Sequence, residues 1–399
     1  MTVSADVLKK RILSDKYNAI VFGSGANSDI YLVGGYLRDT LLGRESLDRD
    51  YVASERFDAI LASVASKVRV RAVQIGRKGL YRFVIGNGIS LDFSRLTGDI
   101  EGDVSARDFT INSMAWSPER GIIDIFSGMK DLSNETIRMI SPKNIIKDPV
   151  RIIRAYRLAA ELSFTIDRKT KNALKALNGL IKEAKTERIT LEFFKMLNSE
   201  NPSKSLRMLW RDGILECIID SFHDELAHKV KVFSRINRMF KRLPLKYQLH
   251  MHDVYCQNLS YKGMLRLEIL LSELPANMLV LGCKVAKRLR DLHTADELLG
   301  TRQIASKDIL FDIFARTEEG APDFLITREF PKFLSEYDRY RDLKRRSFLS
   351  AEEIKTILKI TDGAILGEII RSLRKAEFSG AIKDKKDAAT FVKSELPLI

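Results

Sequence analysis

The 399-residue chain carries 67 Lys/Arg against 53 Asp/Glu, a formal net charge of +14, and 45% of its residues are hydrophobic. That length and apolar share predict a soluble protein of two to four compact units, and no apolar run approaches the length of a bilayer span. Cys217, Cys256 and Cys283 are widely spaced and form no C-x-x-C pair, which excludes a disulfide framework or a cysteine zinc site and predicts buried free thiols in a cytoplasmic protein.

In chain order, the start MTVSADVLKKRILSDKY reads as an amphipathic helix without a signal-peptide core. Ile30 to Val33 predicts a strand, Gly34 and Gly35 a tight turn with close backbone approach, and Leu37 to Leu42 the first turns of a helix. Amide groups freed at such a helix start can hold a triphosphate. Asp48 and Asp50 follow on an extended segment, where residues i and i+2 share a face, so both carboxylates can grip the same ions. Two magnesium ions roughly 4 Å apart would activate an attacking hydroxyl and stabilise a leaving pyrophosphate, the chemistry of nucleotidyl transfer. The plain alternative is that paired aspartates near a turn are solvated loop residues or helix caps.

Short β-rich runs follow at Tyr51 to Ala53, Val68 to Val73, Leu80 to Ile85, Ile89 to Phe93, Thr110 to Trp116 and Gly121 to Ile125, with a hairpin signal at Gly86-Asn87-Gly88. After Pro142 the apolar spacing turns helical throughout, in Ile152 to Leu162, Leu174 to Ile181, Leu191 to Leu197 and Leu206 to Ile219. Pro244, Pro275, Pro322 and Pro331 mark bends between helices. The expected fold is therefore α+β: a head at 1–141, a helical neck at 142–200 and a helical body and tail at 201–399. Residues 1–146 hold 20 basic and 18 acidic residues, so +12 of the charge lies in the remainder. A nearly neutral head joined to a basic body suggests a polyanionic partner such as RNA.

Further motifs come in a fixed order: Arg107-Asp108-Phe109-Thr110-Ile111-Asn112, then Asp124-Ile125-Phe126-Ser127-Gly128 with Asp131-Leu132, then Asp148-Pro149-Val150-Arg151-Ile152-Ile153-Arg154-Ala155-Tyr156-Arg157, and finally Glu187-Arg188 with Glu192. Together with the diglycine turn and the two aspartates, and with Gly363 to Gly380 near the C-terminus, they resemble the class II tRNA nucleotidyltransferase (CCA-adding enzyme) and bacterial poly(A) polymerase family, which has a DNA polymerase beta-like head.

The resemblance implies an ATP/CTP-dependent enzyme that extends the tRNA 3′ end without a template. It implies Asp48 and Asp50 as catalytic ligands of Mg2+, with Asp92 as a candidate third ligand, and a nucleotide site of Gly34, Gly35, Arg38, Arg107, Asp108, Asp148, Arg151, Arg154 and Arg157. Arg107 and Asp108 would hold the ribose 2′-hydroxyl as donor and acceptor. Asp148 and Arg151 would read the base, an acceptor beside a rigid donor fork. Asp148 is equally a candidate helix N-cap ahead of Pro149. Glu187, Arg188 and Glu192 would brace the neck through buried ion pairs.

Two positions depart from the family pattern: Lys147 stands where many relatives carry a glutamate, and Ala106 replaces a common arginine. The short linker SRLTGDIEGDVSA leaves CC addition or A addition alone as an alternative to full CCA addition, beside poly(A) polymerase and a non-catalytic RNA-binding protein. Basic groups at Arg235, Arg238, Lys241 and Arg242, at Lys287, Arg288 and Arg290, and at Arg339, Arg341, Lys344, Arg345 and Arg346 are candidates for following tRNA phosphates. His223-Asp224 and His250-Met251-His252-Asp253 lack the further ligands of a phosphohydrolase centre.

Overall fold

The computed structural model describes residues 4–24, 30–54, 56–76, 79–219, 221–256, 258–271, 278–300, 306–360 and 363–395. The bend expected at Pro275 lies outside these residues. The chain forms two compact units, Met1–Ile218 and Ile219–Ile399.

The first unit opens with α1 (Ala5–Ser14) and α2 (Lys16–Phe22), joined by Asp15, whose carboxylate accepts the Tyr17 and Asn18 amides at 3.1 and 2.9 Å. Then come β1 (Ile30–Val33), α3 (Gly35–Leu41), β2 (Asp48–Ala53), α4 (Phe57–Val68), β3 (Val73–Ile75), β4 (Leu80–Gly86), β5 (Ile89–Arg95), α5 (Ile100–Ser105), β6 (Ala115–Ser117), β7 (Gly121–Ile123) and α6 (Gly128–Ser133). The seven strands form one sheet in the order β3-β4-β5-β2-β1-β6-β7. Its described pairings are antiparallel except β2 with β5, which run parallel. Gly86, Asn87 and Gly88 all have positive φ and close the β4–β5 hairpin as their composition predicts.

Two expected strands are corrected. Val68 ends α4, because Phe57, Ile60, Leu61 and Val64 recur at helical spacing and bury one face; the chain leaves through Arg69 at φ 59° before β3 begins. Thr110–Asn112 is a 3₁₀ turn, and only Ala115–Ser117 joins the sheet.

The two sheet faces differ. Tyr51, Phe83 and Phe93 lie on the buried aromatic face, with Tyr51 stacked on Phe93 at 4.8 Å. On the other face Tyr31, Val33, Val52, Ile100, Val104, Ala115 and Ile123 form a core cluster beneath α5. Asp48 and Asp50 share the face of Val52 by the period-two rule, at the end of β2 beyond that cluster. Arg49, between them, points the opposite way and pairs with Asp15 at 2.6 Å beneath the rings of Tyr17 and Tyr36.

Short strands β8 (Thr136–Ile137) and β9 (Thr165–Ile166) pair in parallel around α7 (Pro142–Lys147) and α8 (Val150–Leu162). Helices α9 (Arg168–Ala176), α10 (Thr186–Asn198), α11 (Pro202–Arg211) and α12 (Leu215–Ile218) complete the unit. The helix expected over Leu206 to Ile219 is interrupted at Gly213, φ +71°, and the run to Ile181 finishes as a 3₁₀ segment, Asn178–Glu183. Head and neck lie in one unit, with α10 and α11 both packed on α8.

The second unit is helical: α13 (His223–Met239), α14 (Leu245–His250), α15 (Tyr261–Leu271), α16 (Cys283–Leu299), α17 (Lys307–Thr317), α18 (Ala321–Thr327), α19 (Leu334–Arg345), α20 (Ala351–Leu358), α21 (Gly363–Ser379) and α22 (Lys385–Glu395), plus a hairpin of β10 (Val254–Cys256) with β11 (Leu259–Ser260). Leu349, Ile354, Leu366, Ile369, Leu373, Ile382, Ala388 and Val392 form the core of its last three helices. Arg235, Arg238, Lys241 and Arg242 are exposed, the first two on α13 and the last two in the 3₁₀ segment Phe240–Arg242 that follows it. Arg288 is a correction: it turns inward between Glu268 and Asp323, so it does not belong to a solvent-facing basic group. The cysteines are free, but Cys217 and Cys256 are only half-buried and Cys283 is exposed. Among the described residues, no helix is long and apolar enough to cross a membrane.

Candidate active site

The glycine turn stands over the acidic end of β2. Gly34 has φ +75° and ψ −138°, a conformation open to glycine but strained for other residues. A Cβ there would lie 3.0 Å from Arg107 Nη1 and 3.4 Å from Asp50 Oδ2. The turn therefore lies beside both the Arg107 guanidinium and the Asp50 carboxylate, groups from positions 34, 107 and 50 of the sequence.

Asp50 pairs in register with Val33 on one side and Asp92 on the other. Burial raises its carboxyl to about 6; Arg107 opposes the rise, and the charges of Asp92 and Asp48 add to it. Asp48, at the exposed start of β2, accepts a hydrogen bond from Ser90 Oγ at 2.7 Å. Asp92 is buried, and both its oxygens are taken by Arg82 at 2.7 and 2.6 Å. The three aspartates do face one cleft side of the sheet, but Asp92 arrives already neutralised.

Arg38 is buried against its own helix. It donates to both oxygens of Asp39 at 2.9 Å and to Asn112 Oδ1 at 2.7 Å. The Asn112 amide donates in turn to Asp108 at 3.1 Å. Asp108 is buried and also accepts the Phe109 amide at 2.7 Å and Arg154 Nη1 at 3.2 Å. Burial by itself would raise the Asp108 carboxyl, but Arg154, Asn112, the Phe109 N–H and Arg151 hold it below the usual carboxylate range. Arg107 turns away from Asp108, onto Asp103 at 2.8 Å. The two residues expected to share the ribose thus point into adjacent niches.

On α8 the arginines at positions 151, 154 and 157 line one face. Arg154 joins Asp108 to the buried Glu192, and Arg157 joins Glu192 to Glu161 at 2.6 and 2.5 Å. This bears out Glu192 as a brace of the neck. Glu187 does not take part; it is exposed in the first turn of α10, where a carboxylate favours the helix dipole. Arg188 instead holds Asp148, its two terminal nitrogens 2.9 and 2.8 Å from the two carboxylate oxygens. Asp148 makes no capping bond to α8, because its side chain is spent on Arg188. Arg151 approaches Asp148 only to 3.7 Å and donates to the carbonyls of Ala106, Arg107 and Asn144 at 2.9, 3.2 and 3.2 Å.

Asp124, Gly128 and Asp131 are structural. Asp124 accepts the Gly128 and Met129 amides at 2.6 and 2.9 Å, Asp131 accepts Thr110 Oγ1 at 2.7 Å, and a Cβ on Gly128 would stand 2.3 Å from the Thr110 carbonyl oxygen.

The family description "Poly A polymerase head domain" matches residues 30–138, and "Probable RNA and SrmB- binding site of polymerase A" matches residues 163–226. These two segments are similar to the head and RNA-binding domains of polymerases of that kind. The chain is similar to a CC-adding tRNA nucleotidyltransferase of Synechocystis sp., 38% identical over 46% of this chain and 45% of that protein. It is also similar to an A-adding tRNA nucleotidyltransferase of Deinococcus radiodurans, 25% identical over 90% and 94% of the two chains. The structure of a Thermotoga maritima CCA-adding enzyme complexed with tRNA shares the fold, with a TM-score of 0.72, 20% identity, and 99% and 96% of the chains covered. The chain spans about half the length of the first of these relatives.

Residue spacing alone does not reveal Arg82, Ser90 and Asn112 as neighbours of the site, and it gives Arg188 only a structural role. A basic residue directly opposite Asp92 in the hairpin register was the available signal for Arg82. The likeness to nucleotidyltransferases implies a divalent metal. The donor set fits one: Asp48 and Asp50 offer hard oxygen ligands on one strand face, with Asp92 in register beside Asp50. Among the described residues, no three His, Cys, Asp or Glu side chains are grouped as a metal cage.

Proposed function

We propose that this protein is a cytoplasmic tRNA nucleotidyltransferase that adds C and/or A residues to the tRNA 3′ end from CTP and ATP, without a nucleic-acid template. The observation carrying this reading is that the Gly34 turn lies beside Arg107 and Asp50, with Asp48 on the same strand face as Asp50. Asp48 and Asp50 hold Mg2+, which when bound lowers the pKa of the attacking hydroxyl and offsets charge on the leaving pyrophosphate. Asp92 shares both oxygens with Arg82, so as a third ligand it would offer the lone pairs that remain.

The chain's own residues do the rest. The Gly34–Gly35 backbone lets phosphate approach where any side chain would collide with Arg107. Arg107 places positive charge beside that turn, and Arg38 fixes the turn's helix through Asp39 and Asn112. Asp108 is held ionised for the ribose hydroxyl. Asp148 and Arg151 read the base, while Arg154 and Arg157 tie that wall of the site to Glu192.

Relatives named for CC addition and for A addition favour partial specificity as the second reading. The exposed basic side chains of the second unit serve the tRNA backbone in either case. Incubation with Mg2+, a tRNA transcript lacking its 3′ end and each labelled nucleotide decides. One to three added residues support the proposal, a long A tail indicates a poly(A) polymerase, and no incorporation overturns it.

A further inference from the structure

Two arginines compete for one carboxylate at the start of α8. Arg188 holds both oxygens of Asp148 at 2.9 and 2.8 Å, whereas Arg151 stands off at 3.7 Å. Arg151 spends Nη1 on three backbone carbonyls, and its Nε is buried without a hydrogen-bond partner. An orphaned buried donor is costly, so the Arg151 guanidinium gains by turning toward any acceptor that comes within reach. The nearest acidic one is Asp148.

If Asp148 were free, it would close onto Arg151, and neither would be left for a nucleobase. The bidentate fork of Arg188 prevents this. It fixes the carboxylate plane and leaves a second lone pair on each oxygen for a donor from the base. Arg188 comes from α10 and is about half exposed, so its grip on Asp148 is not needed to fill a core.

We infer that Arg188 is a positioning residue for nucleobase selection: it holds Asp148 apart from Arg151, so that the pair presents an acceptor and a donor to amino-bearing bases instead of to each other. This rests on the proposed reading of the base by Asp148 and Arg151.

The test uses the full-length chain with a tRNA transcript lacking its 3′ end, and compares Arg188→Gln with Asp148→Asn. The readout is the ratio of kcat/KM for the preferred triphosphate, CTP or ATP, to that for UTP. Arg188→Gln lowers this ratio by on the order of tenfold, leaves the Kd for tRNA unchanged, and is partly rescued by Arg188→Lys, which also serves if the glutamine variant fails to fold. An Arg188→Gln enzyme that is slower but equally selective shows a merely structural brace and overturns the inference. If Asp148→Asn is fully selective as well, the base-reading assignment falls and takes the inference with it. A wild-type chain that incorporates nothing refutes the proposed function itself.

Discussion

Asp50 and Asp92 face each other across the parallel strand pair of the head sheet, and Arg82 forms its ion pair with Asp92. The acidic surface is thus divided into a carboxylate with a bidentate counter-ion and one whose charge is opposed by the fields of Arg107 and Arg82. Four expectations follow from that division and from the bonds around it.

Asp50 makes metal-free stability depend on pH. Its folded carboxyl lies near 6, above the usual 3.8, so the folded state takes up the proton more readily than the unfolded chain. Its favourable contribution is complete below about pH 4 and is lost as pH rises through about 6. Asp50→Asn, which cannot ionise, should match wild type near pH 4 and exceed it by up to about 3 kcal/mol at pH 8. Denaturant unfolding with chelator present measures the gap; an equal gap at both pH values would contradict the assignment.

Asp48→Ala should lower incorporation by at least about 1000-fold while tRNA affinity stays within about twofold of wild type. Asp48 is exposed and its carboxylate is bonded only to Ser90 among the described residues, so the fold does not depend on that side chain. Asp92→Asn should retain far more turnover, since its partner Arg82 already answers its charge. Parallel incorporation and gel-shift assays compare the two, and comparable losses of turnover would promote Asp92 to an equal ligand.

Gly34→Ala forces a methyl group into the space of Arg107 at a φ of +75°. The backbone penalty is about 1–3 kcal/mol, and the displaced guanidinium should raise KM for the triphosphate more than it changes tRNA binding. Thermal melting together with steady-state kinetics reads both effects.

Glu192→Ala removes a buried carboxylate shared by Arg154 and Arg157, which leaves Arg154 with Asp108 and Arg157 with Glu161 as their remaining acidic partners. A loss of about 1–3 kcal/mol is expected. Burial raises the Glu192 carboxyl, but Arg157 and Arg154 outweigh that and hold it low. Its stabilisation is therefore present at neutral pH and fades only as acid titrates it below the ordinary glutamate range. Urea titrations at pH 7 and pH 3 should show the variant's deficit shrinking in acid.

The sequence made some of this legible and not the rest, for physical reasons. The period of two put Asp48 and Asp50 on one face, and the hairpin glycines located the turn before Ile89. Val68 misled because β-branched residues near a helix end resemble a strand start until the burial of Phe57 to Val64 is known. The partners of Asp92, Asp108 and Asp148 were out of reach of spacing rules, because Arg82, Arg154 and Arg188 meet them through tertiary contacts. Arg288 shows the same limit: a basic run cannot reveal which of its members is drawn inward by Glu268 and Asp323.

The chain of polar links from Asp39 through Arg38, Asn112, Asp108 and Arg154 to Glu192 joins the phosphate-side helix to the neck without an apolar seam along that path. Such a polar junction should respond to heat differently from an apolar one. Because the hydration of charged groups weakens on warming, its grip is kept as temperature climbs, so activity should fail through melting of the sheet before the neck lets go.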